Sequence, residues 1–212
     1  MLTQKMTNAL IIFIKNPALG KVKTRLAKTV GNEKALDIYL QLTEITRKNA
    51  QILRRVNRVV FYSDFHNPDD EWANEAFQKH VQAGDDLGER MFNAFADVLK
   101  TNENAVIIGS DCPTLTAEIL ELAFEKLATN DFVIGPSTDG GYYLLGFGKN
   151  NLTDFVFKNM DWSTDKVLST TLLRIKEQTK TVFLLPELTD VDEEKDWVKY
   201  LQIQTNVKNL SD

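Results

Sequence analysis

The sequence predicts an α/β fold in one domain, with its ligand site at the carboxyl edge of the sheet. Three observations carry that expectation. Short unbroken apolar runs such as Leu10–Ile14 and Ala105–Ile108 suit strands covered on both faces. Between them lie stretches with apolar residues at helical spacing, as in Ala35, Ile38, Leu42, Ile45 and Ile52. Polar turns rich in Gly, Pro, Asp and Lys follow the strands, at the edge where open α/β sheets bind ligands.

Composition narrows the function. The chain has 212 residues, 43% of them hydrophobic and 26% charged, which is enough for one domain with a sizeable core. The longest apolar run, Ala9–Ile14, is far short of a membrane span, and the first residues carry no signal-peptide hydrophobic region. One cysteine excludes an internal disulfide and fits the cytoplasm. With only two histidines beside it, a Cys/His zinc site is excluded, so any metal would be held by oxygen. A net charge of −5 argues against a nucleic-acid partner. Its distribution is uneven. No acidic residue precedes Glu33, whereas Lys5, Lys15, Lys21, Lys23, Arg25 and Lys28 do; the tail packs Glu187, Asp190, Asp192, Glu193, Glu194 and Asp196 closely. A basic opening in an acidic protein points to a local site for a small anion.

Taken in order, Leu10–Ile14 is the first strand, and Ala18–Leu26 (A-L-G-K-V-K-T-R-L) is a loop at its carboxyl end. This is no P-loop, because Lys15 stands where its first glycine belongs and Val22 where Ser or Thr is required. Gly20 with Lys21, Lys23 and Arg25 still makes a cradle for a di- or triphosphate; the plain alternative is a solvated basic loop. Lys34–Leu53 is a helix capped by Asn32, and Arg58–Ser63 a second strand. A polar helix spans about Asp70–Gln78, and His80–Ala83 is a short third strand. The Gly84–Arg90 turn opens a helix through Leu99, where backbone N–H groups face the ligand edge or Asp85 or Asp86 simply caps.

Ala105–Ile108 is the fourth strand, Gly109 ends it, and Asp111 follows before a helix capped by Thr116. Asp131–Gly135 and Tyr142–Phe147 are strands joined by Pro136–Gly141, whose Asp139 faces the same edge as Asp111. Two carboxylates there form the pattern for Mg²⁺ or Mn²⁺ held partly by ligand phosphates, although either Asp alone closes a turn equally well. Asn150–Lys158 is a short helix, Asp161–Thr164 caps another running to about Glu177, and Thr181–Leu185 is a late strand. A final helix packs Trp197, Tyr200 and Leu201 onto the core.

The motifs K-N-P-A-L-G-K-V-K-T-R-L, G-D-D-L-G-E-R-M, I-G-S-D-C-P, G-P-S-T-D-G-G-Y-Y-L-L-G, D-W-S-T and D-V-D-E-E-K-D occur in that order over nearly the whole chain. Together they resemble the radical-SAM/selenodomain-associated transferases, also described as arsenosugar-biosynthesis glycosyltransferase-like. That resemblance implies a GT-A fold, the nucleotide-diphospho-sugar transferase architecture: a three-layer α/β/α sandwich with a mostly parallel mixed sheet. The K-T-R-L element is also similar to that of the guanylyltransferase activating phospholactate for the deazaflavin cofactor. Molybdenum-cofactor guanylyltransferases are more distant, since N-P-A-L-G replaces their Gly-Gly loop.

Carried onto these residues, the resemblance implies that Lys15, Gly20, Lys23 and Arg25 contact nucleotide phosphates and that Gly84, Asp86 and Gly88 lie near the nucleoside. Asp111 resembles the GT-A metal carboxylate, with Ser110-Asp111-Cys112-Pro113 replacing the usual Asp-x-Asp; Asp139, or Asp190 with Asp192, would complete the site. Cys112 reads as a packing residue. Gly140, Gly141, Tyr142 and Trp162 would shape the acceptor pocket. The expected activity is Mg²⁺- or Mn²⁺-dependent glycosyl transfer from a nucleotide sugar to a small-molecule acceptor, with Lys23 and Arg25 on the leaving group and Asp139 as base. The alternatives are nucleotidyl transfer from a nucleoside triphosphate to a phosphorylated acceptor and a non-catalytic nucleotide-binding module.

Overall fold

A computed structural model describes residues 7–68 and 70–209; Lys5, part of the basic opening, lies outside them. Seven strands form one sheet in the order β3-β2-β1-β4-β6-β5-β7. They are β1 (Asn8–Ile14), β2 (Val56–Tyr62), β3 (Gln78–Val81), β4 (Asn104–Ile108), β5 (Phe132–Pro136), β6 (Tyr142–Gly148) and β7 (Val182–Leu184). Every strand runs the same way except β6, which lies antiparallel between β4 and β5.

Both sheet faces are covered, because strand side chains alternate between two cores. Leu10, Ile12 and Ile14 join α2 (Asn32–Ile52) and α4 (Ala117–Lys126) on one face, while Ala9 and Ile11 join α3 (Leu87–Val98) and α5 (Val167–Glu177) on the other. A third cluster, around Leu26, Ile38, Leu42 and Trp197, joins α1 (Thr24–Val30), α2 and α6 (Glu194–Asn209). The chain adds β2 and β3 on one side of β1, then returns to place β4 on the other side. That reversal opens a crevice past the carboxyl ends of β1 and β4.

Several local expectations are corrected. No helix forms at 70–78: Asp70 turns inward to accept from the Trp72 amide at 3.0 Å, and Trp72 and Phe77 are buried. Residues 150–158 hold only a single 3₁₀ turn, Lys149–Asn151, followed by turns. Thr24, Arg25 and Leu26, expected in a loop, begin α1 because Leu26 is pulled fully into the third cluster. Gly31, at a φ of 83°, takes the cap position of α2, and Asn32 is already helical. The D-W-S-T turn supplies no side-chain cap to α5; the Gly140 carbonyl instead accepts from Leu168 N at 2.9 Å. Leu201 faces outward, whereas Trp197 packs inward. Thr116 occupies the cap position of α4 as expected.

Candidate active site

The crevice is a cavity of about 660 Å³ at the β1/β4 edge. Its wall includes Lys15, Lys23, Arg25, Asp111, Asp139, Gly141, Tyr142, Trp162, Asp190 and Asp192, so ten of the sequence-selected residues meet in one place. Gly20, Gly84, Asp86, Gly88 and Gly140 do not reach that wall.

Those five have local work. Gly20, at a φ of 72°, sits in a turn closed by Lys21 N to the Ala18 carbonyl at 3.0 Å. Asp86 caps α3, accepting from Glu89 N at 2.8 Å, while the Glu89 side chain accepts from Asp85 N, one residue before the cap, at 3.0 Å, a variant of the capping box. Gly84 gives its carbonyl to the Arg90 side chain at 3.0 Å. Gly88 lets Trp162 approach closely, since a Cβ there would lie 2.9 Å from its indole nitrogen. Gly140 combines a φ of 86° with contact against Asp165, where a Cβ would meet the carbonyl oxygen at 2.3 Å.

The acidic side is assembled by backbone. Asp111 leaves β4 two residues past Gly109, and its carbonyl accepts from Val191 N at 2.8 Å, which draws the C-terminal acidic segment beside it. Lys23 Nζ lies 2.8 Å from Asp111 Oδ1 and donates to the Val191 carbonyl at 2.7 Å. Asp139 is held in its turn by Gly141 N, at 2.9 Å from Oδ1. Asp190 accepts from Ser137 at 3.3 Å, and Arg25 pairs with Asp192 at 3.0 Å. Burial, then the negative charges of Asp111 and Asp139, pushes the Asp190 carboxyl up to about 7, against the pull of Lys23. The Cys112 thiol is pushed up to about 12, first by burial and then by Asp190. It stays protonated at neutral pH, which suits a packing residue rather than a nucleophile.

Among the described residues, no three His, Cys, Asp or Glu side chains form a ready metal cage. The donors nonetheless fit Mg²⁺ or Mn²⁺, which take one or two carboxylates and complete their shells with water and ligand phosphates. All the donors are oxygens, and the anionic crowding felt by Asp190 is what a cation would relieve.

Sequence reasoning missed Tyr39, Gln82 and the Arg90 side chain, which line the cavity; the Ser163–Asp165 part of the later segment, Tyr142–Asp165, expected to carry acceptor specificity, lines it too. Tyr39 donates to the Lys15 carbonyl at 2.7 Å and accepts from its amide at 2.8 Å, fixing the exit of β1. Its signal was present as a hydroxyl on the buried stripe of α2 beside Ile38 and Leu42.

Residues 46–164, more than half of the chain, match the family described as uncharacterized protein conserved in bacteria (DUF2064). The chain belongs to this family. No curated protein matches this DUF2064 chain. Among solved structures, it is similar to a protein from Desulfovibrio desulfuricans G20 provisionally named a nucleotide-diphospho-sugar transferase. The two are 31% identical over 89% of this chain and 83% of that one, with a TM-score of 0.82. A nucleotidyl transferase from Methanothermobacter thermautotrophicus shares the fold at 12% identity, covering 92% and 96% of the two chains, with a TM-score of 0.65. CMP:2-keto-3-deoxy-manno-octonic acid synthetase complexed with CTP shares it at 10% identity, over 94% and 99%, with a TM-score of 0.59. The architecture is therefore that of the nucleotide-diphospho-sugar transferases: a mixed α/β domain with a seven-stranded, mostly parallel sheet. No helix among the described residues is long and apolar enough to cross a membrane.

Proposed function

We propose that this chain is a metal-assisted transferase that takes a nucleotide-diphospho-sugar and passes the sugar to a small-molecule acceptor. The observation carrying the reading is the meeting of Asp111, Asp139 and Asp190 with Lys15, Lys23 and Arg25 in one cavity at the strand-order reversal. The name given to the 31%-identical relative supports it. The resemblance to the radical-SAM-associated transferases supports a small acceptor, and the single cysteine supports a cytoplasmic setting.

In this reading the donor diphosphate lies against Lys15, Lys23 and Arg25, which orient it and offset the charge it gains on leaving. A divalent ion, held by Asp111 with Asp139 or with Asp190 and Asp192, would supply further neutralisation of that leaving group. The sugar–diphosphate bond breaks with its electron pair going to the phosphate oxygen, and the acceptor oxygen bonds to the anomeric carbon. Where Asp190 and Asp192, rather than Asp139, complete the metal site, the acceptor proton passes to Asp139, whose Oδ1 is steadied by Gly141 N. Gly141, Tyr142 and Trp162 form the wall an acceptor would meet, with Gly140 positioning them from behind.

Nucleotidyl transfer is the second reading, favoured by three cations clustered near one β1 loop, enough for a triphosphate. Incubation with Mn²⁺ and a panel of nucleotide sugars or nucleoside triphosphates separates the two. Release of nucleoside diphosphate from one nucleotide sugar is expected. Pyrophosphate from a triphosphate would replace the first reading by the second. Tight binding without either product would leave a non-catalytic nucleotide-binding module.

A further inference from the structure

We infer that Lys23 is a resident counter-cation that must leave Asp111 before a divalent ion can bind there, so the donor-free protein holds its own metal site closed. This inference rests on the metal-assisted reading above. The Lys23 side chain is only 5% exposed, although it belongs to the most basic stretch of the sequence. Its ammonium has two partners in the site, Asp111 Oδ1 at 2.8 Å and the Val191 carbonyl at 2.7 Å. The backbone is bent to deliver it. Lys23 sits at φ 47° and ψ 46°, a left-handed conformation uncommon outside glycine.

An ion bound to Asp111 would lie ~2.1 Å from its oxygen, the usual Mg²⁺ distance. An ammonium 2.8 Å from Oδ1 occupies that oxygen, and an ion on either oxygen of the half-exposed carboxylate would meet its positive charge at close range. The two therefore compete for Asp111. Release of Lys23 adds its charge to those of Lys15 and Arg25 on the cavity wall, where a diphosphate would meet it. Metal and donor thus favour each other's binding, because each stabilises the same displaced position of Lys23.

The test is a Mn²⁺ titration without nucleotide, following free Mn²⁺ by electron paramagnetic resonance, on wild type and on Lys23→Met, Lys23→Arg and Asp111→Asn. Lys23→Met should bind Mn²⁺ at least about tenfold more tightly than wild type, since a positive charge beside the ion is gone. Lys23→Arg should stay weak, and Asp111→Asn should bind least. Unchanged or weaker binding by Lys23→Met, with binding still lost in Asp111→Asn, overturns the inference and spares the metal reading. Measurable Mn²⁺ binding by wild type that Asp111→Asn leaves unchanged overturns both. A wild-type measurement covers the case in which Lys23→Met does not fold: acetylation of Lys23, read by mass spectrometry, should be slow alone and faster with millimolar Mn²⁺. Acetylation that Mn²⁺ leaves unchanged also overturns the inference.

Discussion

Two lysine–aspartate pairs with buried lysines, one on each side of β1, show how similar ingredients serve different ends. Lys79, 2% exposed, sits 2.7 Å from Asp70 and also donates to the carbonyls of Asn67 at 3.1 Å and Pro68 at 3.4 Å. Asp70 in turn accepts from the Trp72 amide and from the Tyr62 hydroxyl. One positive charge meets one negative charge, and each has hydrogen-bond partners inside the protein. The Lys23–Asp111 pair is as short, but Asp190 and Asp139 crowd it, and Asp190 is held up near 7 by burial and by those like charges. A balanced pair closes a loop; an unbalanced one stands where the proposed divalent ion would act.

The largest effect should separate the pairs through stability. Lys79→Met strands the Asp70 charge and should cost about 3–5 kcal/mol in denaturant unfolding, with turnover per folded molecule unchanged. Asp111→Asn should do the reverse. Transfer should fall about 10²–10³-fold, as when one transition-state charge contact is removed, while melting falls less than in Lys79→Met because Asp190 still faces the buried Lys23 ammonium. A protein melted by Asp111→Asn but not by Lys79→Met would erase the distinction.

Asp190 sharpens it by pH. Its folded pKa of about 7 exceeds the ordinary 3.8, so the protonated form is the one the fold favours. Its contribution is therefore fully present below pH 4 and is lost as pH rises through 7. Asp190→Asn should raise the metal-free stability at pH 8 by about 2 kcal/mol, and by almost nothing at pH 4. A gain of equal size at both pH values would remove the electrostatic account. The smallest effect concerns the capping box. Asp86→Ala should cost about 1 kcal/mol of stability and leave donor affinity alone. A several-fold rise in donor KM would instead restore Asp86 to the nucleoside site.

Much of this was legible in the chain. Strands at Leu10–Ile14 and Ala105–Ile108 announce themselves because a doubly covered strand must be apolar throughout. Asp111 and Asp139 were readable because turn residues after such strands fall at the ligand edge. The polar stretch 70–78 misled because Trp72 and Phe77 are drawn into the core around Tyr62 while Asp70 is taken by Lys79. Gly84, Asp86 and Gly88 misled for a related reason: the residues that suit a phosphate loop also suit a helix start.

By itself, then, the sequence determined the α/β class, most strand and helix positions and the edge where chemistry would gather. Those follow from hydrophobic period and turn chemistry, which act within a few residues. Only the tertiary structure decided that β6 runs antiparallel between β4 and β5, that residues 188–192 return to Asp111, and that Lys23 is spent on a carboxylate rather than left in solvent. Contacts between positions 23, 111 and 191 leave no local trace, because they form only when packing of the whole sheet brings three distant segments to one edge.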